Sequence, residues 1–242
     1  MEKTDLEVQR VDQLTSAAVG LVGFAPFVGQ LAGEIISNVV PNQRVDRITK
    51  FVVALEERIA SVEECVRVER CEQAEFVDVM EDAFIGASRA LGEDRITQLA
   101  ELVASGIKEE QLRYAEVKQM LRLLEQINDI EVVLLRARLA TTSEERQADA
   151  DFRNTHAAML EPKAPHMRSS KEEFDEASLH KSYYAHLVDL GLLRRRFRKP
   201  KRGELPEFDE KTGMMKAGGH EVTRLGRMLL RYIGQMPEAL DY

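Results

Sequence analysis

The last third of the chain combines helical, strand-forming and turn-forming stretches in an order that few folds contain. Apolar residues recur at helical spacing up to Leu190, and Gly191 then predicts the end of a helix. Leu192–Phe197 and, after a long polar loop, Glu221–Val222 are typical of two antiparallel strands. Thr223 is a favourable N-cap for a final helix. This order is typical of a winged helix-turn-helix with a small β-hairpin wing.

The pattern also predicts bounds for these elements. We expect a helix over Leu179–Leu190, followed by the two strands and, between them, a flexible loop from Arg198 to Gly219. In the final helix we expect three apolar side chains to be buried, those of Leu225, Leu229 and Ile233. A helix that continued through Arg194–Arg198 would exclude this interpretation.

Upstream, one long stripe of apolar residues alternates steps of three and four, which indicates a heptad-like helix over residues 45–67. Its members are Val45, Ile48, Val52, Leu55, Ile59, Val62 and Val66. The stripe could line the core of a helical bundle or the seam of a dimeric coiled coil. In both cases we expect the central side chains, from Ile48 to Ile59, to be buried.

Further helices follow this one. Three apolar stripes predict them, and glycine stops are expected near Leu91–Gly92 and Ser105–Gly106. The stripes are Phe76, Val79, Met80, Phe84 and Ile85; Ile96, Leu99, Leu102 and Val103; and Leu112, Val117, Leu121 and Leu124. Capping boxes predict three helix starts, at Asn128–Glu131, Thr142–Glu145 and Ser170–Glu173. The expected fold is therefore mainly α: a helical domain over residues 1–140, then connecting helices and the winged-helix module over residues 141–242.

Residues 17–40 form an apolar segment that contains several glycines. Pro26 and Glu34 disfavour a membrane-spanning helix, so we expect a packed, soluble hairpin, with a membrane-insertable hairpin as the alternative. Cys65 and Cys71 lie six residues apart, a spacing that excludes a disulfide within one helix. Together with the absence of a signal peptide, this favours a cytoplasmic protein.

Two regions carry a family resemblance. One runs from Pro26 through Val40-Pro41-Asn42-Gln43 into the heptad-like helix, and the other from Leu112 to Leu135 and on to the winged-helix pattern. Together they resemble uncharacterised bacterial proteins of the abortive-infection-alpha type. The resemblance implies a helical body with a winged-helix-like end and a role in phage defence. It implies no active-site residues.

Motifs for catalysis are missing from the sequence. It has no Walker-type phosphate loop, no dinucleotide-binding fingerprint and no nucleophile elbow. The five histidines do not pair at the spacing of a helical metal site; they are His156, His166, His180, His186 and His220. We therefore expect no enzyme activity, no cofactor and no metal.

Charge is distributed unevenly along the chain. The net charge is -8, yet residues 181–242 carry 13 Lys and Arg against 8 Asp and Glu. The candidate partner-binding or nucleic-acid-binding residues lie there: Lys181, Arg194, Arg195, Arg196, Arg198, Lys199, Lys201 and Arg202. In a strand, Arg194, Arg196 and Arg198 would share one face, and Leu193, Arg195 and Phe197 the other. Such a wing could hold phosphates, anionic lipid or the acidic body of the chain itself.

These features predict a non-enzymatic interaction protein, with a phage-defence role implied by the resemblance. It would bind a partner through the winged helix, with the helical body as an effector or oligomerisation surface; the partner would be another protein or a second copy of the chain. The first alternative is a winged-helix transcriptional regulator that binds DNA. Against it, the exposed face of the predicted recognition helix offers little for base contacts (His180, Lys181, Ser182 and Ala185), and acidic residues precede that face. The second alternative is a membrane-active effector that uses residues 17–40.

Overall fold

The structure is a computed structural model that describes residues 42–60, 73–108, 114–161, 166, 168–197, 205–208, 213 and 215–237. Within these residues the chain is mainly helical, with ten helices and one small antiparallel sheet of two strands. The chain forms two compact units, which divide between Gln126 and Ile127; Tyr232–Gly234 belong with the first. A compact unit need not be a domain that folds by itself, so the domain limit expected at residue 140 stays a prediction.

Four helices make up the described part of the first unit. They are α1 (Asn42–Ile59), α2 (Ala74–Arg89), α3 (Glu93–Lys108) and α4 (Tyr114–Gln126). Helix α1 packs against α2 and α3, and α4 packs against the same two helices. The heptad-like stripe is the reason for this arrangement, because it gives α1 one continuous apolar face that must be covered.

The predicted core of the first unit is confirmed at its centre. Ile48, Val52, Leu55 and Ile59 are buried on α1. The stripe did not include Phe51, which is also buried and meets the Phe84 ring edge to face, with the ring centroids 5.7 Å apart. The stripes of α2, α3 and α4 are buried as well, apart from the half-buried Ile85. Val62, Val66, Leu112 and the side chain of Val45 lie outside the described residues.

The glycine stop expected at Ser105–Gly106 is wrong. Helix α3 continues through both residues to Lys108, and Gly106 is buried within it. A glycine inside a helix lowers its intrinsic stability by about 1 kcal/mol, which the packing of α3 against its neighbours outweighs. The stop near Leu91–Gly92 is confirmed, since α2 ends at Arg89 and α3 begins at Glu93.

Among the described residues, the second unit contains the two strands and six helices, the last of which belongs to it up to Arg231. They are α5 (Asp129–Ala137), α6 (Ser143–Ala148), α7 (Ala150–Thr155), α8 (Ala157–Leu160), α9 (Lys171–Asp189), β1 (Leu193–Phe197), β2 (Ala217–Val222) and α10 (Arg224–Tyr232). All three predicted capping boxes are present, before α5, α6 and α9. In each, the N-cap side chain and the N3 glutamate bond reciprocally to backbone N–H groups, so these starts could be predicted locally.

The predicted helix, strand, strand, helix order is confirmed. Helix α9 ends one residue before Leu190, and Gly191 follows with φ +72°, a conformation that favours glycine. The strands pair antiparallel, with Leu193 opposite Val222 and Arg195 opposite His220. Because the chain is a strand through Phe197, continuous helix over Arg194–Phe197 is excluded.

Two details of this region differ from expectation. The stretch from Arg198 to Gly219 is not all loop, because Phe208 pairs with Met215 and β2 already begins at Ala217. Leu229 and Ile233 are buried as predicted, but Leu225 is only half-buried. The buried position on this turn of α10 belongs to Gly226 instead.

No helix in the described ranges is both long and apolar enough to cross a membrane. The apolar segment over residues 17–40, for which a packed hairpin was expected, lies outside those ranges, as do Cys65 and Cys71. The expectations about them stay predictions.

Thr223 connects the start of α10 to the end of the turn after α9. Its Oγ1 accepts a hydrogen bond from Gly226 N at 3.0 Å and donates to Gly191 O at 2.6 Å. We expect Thr223→Ala to lower the free energy of unfolding by about 1 kcal/mol, since neither bond can form without the hydroxyl. Urea unfolding followed by circular dichroism measures this change. Thr223→Ser keeps the hydroxyl and serves as the control; an equal decrease in both variants would contradict a capping role.

Candidate functional site

Three consecutive arginines, Arg194–Arg196, occupy the middle of β1, and we call them the arginine strand. All three are exposed. Arg194 Nε donates to Glu221 Oε1 across the hairpin at 2.5 Å, and its side chain remains 70% exposed. A mostly exposed ion pair contributes little to stability, so the side chain of Arg194 adds little to the stability of the hairpin.

The predicted alternation of faces along β1 holds only in part. Leu193 is buried, whereas Arg195 and Phe197 are exposed, and the register shifts between Arg196 and Phe197. Such a bulge bends a strand and redirects its side chains. Lys181 is exposed on α9. The other predicted basic residues lie outside the described part of the chain; they are Arg198, Lys199, Lys201 and Arg202.

Helix α9 has an acidic first half. Glu172, Asp175 and Glu176 are exposed there, and the Ser170 capping box fixes where the helix begins. Acidic residues near the N-terminus stabilise a helix, because their negative charge interacts favourably with the helix dipole. Phe174 and Leu179 are exposed on the same helix, 46% and 56% respectively. The surface of α9 is therefore acidic and partly apolar, unlike the neighbouring strand.

The predicted exposed face of α9 is also less open than expected. Lys181, Ser182 and Ala185 are exposed, but His180 is half-buried. Its Nε2 lies 3.1 Å from Met159 O, and its ring packs edge to face on Tyr184 with the centroids 5.2 Å apart. Burial first, and then the charge of Arg138, lower the pKa of His180. This histidine serves packing within the second unit.

A pocket of about 330 Å³ lies within the second unit, where the end of α5 and helices α6–α8 face the hairpin. Four arginines line it: Arg138, Arg146, Arg153 and Arg196. The hairpin contributes Gly218, Gly219, His220 and Glu221, and the remaining wall includes Tyr184 and Glu161. Four guanidinium groups and two carboxylates give the pocket an excess of positive charge.

The pocket arginines differ in how they are held. Arg138 donates from Nη2 and Nε to the Tyr184 hydroxyl, at 2.7 and 3.1 Å. Arg153 donates from Nη1 to Ala137 O at 3.2 Å. Among the described residues none of the four pocket arginines forms a salt bridge. No carboxylate of the described residues therefore lies within salt-bridge distance of these four guanidinium groups.

His220 reports the electrostatic character of the pocket. Its ring stacks on Tyr184, with the centroids 4.8 Å apart and the planes 13° from parallel. Burial lowers the pKa of His220, and the positive charges of Arg138 and Arg195 lower it further. The imidazole is therefore neutral at physiological pH, since its ordinary pKa is already near 6.5. Burial and the neighbouring arginines together disfavour a further positive charge at His220.

A separate polar cluster in the first unit has a structural explanation. Lys118 is buried on α4, with Nζ 2.9 Å from Asp78 and a second bond to Asp82; Tyr114 also donates to Asp78. Burial opposes the lysine's charge, but the two carboxylates outweigh it and raise the pKa of Lys118. The Lys118 and Tyr114 bonds lower the pKa of Asp78. The cluster thus stays charged and joins α2 to α4.

No grouping of metal-ligating side chains was found in the portion of the chain that the structure describes. The pocket lined by Arg138, Arg146, Arg153 and Arg196 is called the arginine pocket below. Sequence reasoning missed it, because its lining comes from residues far apart in the chain and no spacing along the sequence indicates it. Comparison with protein-family models, with curated proteins and with solved structures found no match. A function must therefore be argued from the arginine strand and the arginine pocket themselves.

Proposed function

We propose that the protein is a non-enzymatic interaction protein that binds an acidic protein partner, or a second copy of itself, through the hairpin. The observation that carries this proposal is the arginine strand. Arg194, Arg195 and Arg196 are consecutive and exposed on β1, and within the described residues only Arg194 has a carboxylate partner, Glu221 across the hairpin. Adjacent like charges repel, and an acidic partner relieves that repulsion.

The acidic first half of α9 favours a protein over DNA. In a winged helix, the helix before the wing enters the major groove with its N-terminal residues. Here that end would bring Glu172, Asp175 and Glu176 towards phosphates, which repel carboxylates. Exposed Phe174 and Leu179 fit a protein partner better, since protein interfaces combine apolar contacts with charged rims.

The order α9, β1, β2, α10 supports the proposal that this module is a winged helix. A place in phage defence is supported only by the resemblance to abortive-infection-alpha-type proteins, and a cytoplasmic location only by the sequence. A membrane-active effector that uses residues 17–40 stays a further alternative, because that segment lies outside the described residues.

A DNA-binding regulator is the second candidate, and the arginine strand is again the observation in its favour. The two candidates are distinguished by which ligand binds and by how strongly its affinity depends on salt concentration. A DNA-binding wing releases counterions, so affinity for duplex DNA falls steeply with salt. A protein-binding wing binds an acidic polypeptide such as polyglutamate. At physiological salt its affinity for polyglutamate is higher than its affinity for duplex DNA.

We expect the triple variant Arg194→Ala, Arg195→Ala and Arg196→Ala to fold normally, because exposed charges add little to stability. Its affinity for polyglutamate should fall about tenfold or more, since charged hydrogen bonds contribute ~1.5–3 kcal/mol each. Fluorescence anisotropy against salt concentration measures this change. If duplex DNA is the ligand, the slope of the logarithm of its binding constant against the logarithm of the salt concentration becomes shallower in the variant. The change is about 0.9 for each phosphate that the variant no longer neutralises.

The matched control removes three cations from the exposed surface of the first unit, at Arg44, Arg89 and Arg122. It changes the net charge equally, so a general charge effect would weaken binding in both variants. Unchanged polyglutamate binding in the triple variant of the arginine strand would remove the hairpin from the proposed function.

A further inference from the structure

We propose that the arginine pocket of the second unit binds an organic phosphate of about the size of a nucleoside monophosphate. The pocket joins Arg138, Arg146 and Arg153 to Arg196 of the hairpin in one cavity of about 330 Å³. This inference does not rest on the proposed function, because three of the four arginines lie outside the arginine strand.

The guanidinium groups determine the chemical class of the ligand. A guanidinium is planar and presents paired N–H donors that match the oxygens of phosphate or carboxylate. Of the two carboxylates in the lining, Glu221 already accepts a bond from Arg194 outside the pocket. Four cationic groups around one cavity call for more than one negative charge, and a phosphate monoester supplies about two at neutral pH.

Two of the arginines are pre-positioned by the fold. The Tyr184 hydroxyl holds Arg138, and the Ala137 carbonyl holds Arg153. Within the described ranges, Arg138 Nη1 and Arg153 Nε and Nη2 donate no further hydrogen bond. Fixed donors lower the entropy that is lost when a ligand binds, so this half of the pocket is ready to accept an anion.

The other two arginines can close on a ligand. Arg146 and Arg196 are exposed, and neither side chain has a hydrogen bond or salt bridge to the described residues. Gly219 faces the same cavity with φ +147°, a conformation that favours glycine, and a Cβ there would lie 3.9 Å from Arg196 Nη2. That distance is an ordinary contact, so the backbone conformation and not the space at this position explains the glycine.

Size indicates an organic phosphate rather than phosphate alone. A volume of about 330 Å³ falls at the lower end of the range of small-molecule pockets. Tyr184 and His220 add aromatic surface to the lining.

Isothermal titration calorimetry of the full chain tests the proposal with inorganic phosphate, pyrophosphate, adenosine monophosphate and adenosine. We expect adenosine monophosphate to bind and adenosine not to bind. Arg146→Ala should weaken the binding of adenosine monophosphate about tenfold or more, while the fold is kept because this side chain has no partner among the described residues. Arg146→Lys should restore it in part. Arg89→Ala, on the exposed surface of the first unit and outside the pocket lining, serves as the matched control and should bind as the unaltered chain does.

Failure of adenosine monophosphate to bind, binding of inorganic phosphate or pyrophosphate as tight as that of adenosine monophosphate, or unchanged binding in Arg146→Ala would overturn the proposal. A short oligonucleotide with and without a 5′-phosphate distinguishes the source of the phosphate. Tighter binding of the phosphorylated oligonucleotide than of the mononucleotide would overturn the small-molecule assignment in favour of nucleic-acid ends. Polyglutamate binding, measured on the same Arg146→Ala protein, should be unchanged, so the pocket and the proposed function can fail separately.

Discussion

Leu55→Ala is expected to lower the free energy of unfolding by about 2–5 kcal/mol. Leu55 is completely buried at the centre of the apolar face of α1. The change removes apolar contacts and leaves a cavity that the surrounding helices can fill only in part, because protein interiors are close-packed. Urea unfolding of the full chain, followed by circular dichroism, measures the loss of stability as a lower midpoint at an unchanged slope.

Val53→Ala is the matched control on the same helix. Val53 is 46% exposed, so shortening it should change the stability by no more than about 0.5 kcal/mol. A loss of stability in Leu55→Ala no larger than in Val53→Ala would mean that the apolar face of α1 does not form the core. That result would also remove support from the prediction that the first unit is a helical bundle.

Features that depend on a few neighbouring residues could be predicted from the sequence. The three capping boxes are examples, since each needs only an N-cap residue and a glutamate three positions later. Gly191 is another, because the end of a helix commonly requires a residue at positive φ. The β-hairpin followed from the same local signals, which is why its position could be predicted without knowing how it packs.

Features that depend on distant residues could not be predicted in this way. The arginine pocket combines side chains from α6, α7, the hairpin and the turn after α5, and no spacing along the chain indicates that they meet. Gly106 shows the same limit for helices, since tertiary packing keeps α3 helical where local propensity predicts its end. The half-burial of His180 likewise depends on contacts with Met159 and Tyr184.

The first turn of α10 shows how packing decides between neighbouring residues. Hydrophobic periodicity placed Leu225 in the core, yet that side chain is only half-buried and Gly226 is buried beside it. Thr223, which caps the helix, also binds Leu192 O through its backbone N–H at 3.0 Å. This bond draws the helix close to the start of β1, and at such a distance only a residue without a side chain fits.

Gly226→Ala is therefore expected to lower the free energy of unfolding by about 3 kcal/mol, near the upper end of the range for overpacked cores. An added Cβ would lie 2.9 Å from Val222 Cγ1 and closer still to Leu192 O. The carbonyl belongs to the backbone, so no rotamer change relieves the contact, and α10 or the hairpin must move. Urea unfolding followed by circular dichroism measures the decrease.

Intrinsic helix propensity predicts the opposite sign, because alanine is favoured over glycine in a helix by about 1 kcal/mol. Gly86→Ala provides the matched control: Gly86 also lies within a helix, α2, but a Cβ there would have Leu99 as its nearest neighbour, at 3.5 Å, an ordinary contact distance. Gly86→Ala should be neutral or stabilising. Because the two substitutions are chemically identical, a stabilising effect at both positions would show that α10 does not approach Leu192 closely. It would then contradict the packing of α10 against the hairpin on which the winged-helix proposal depends.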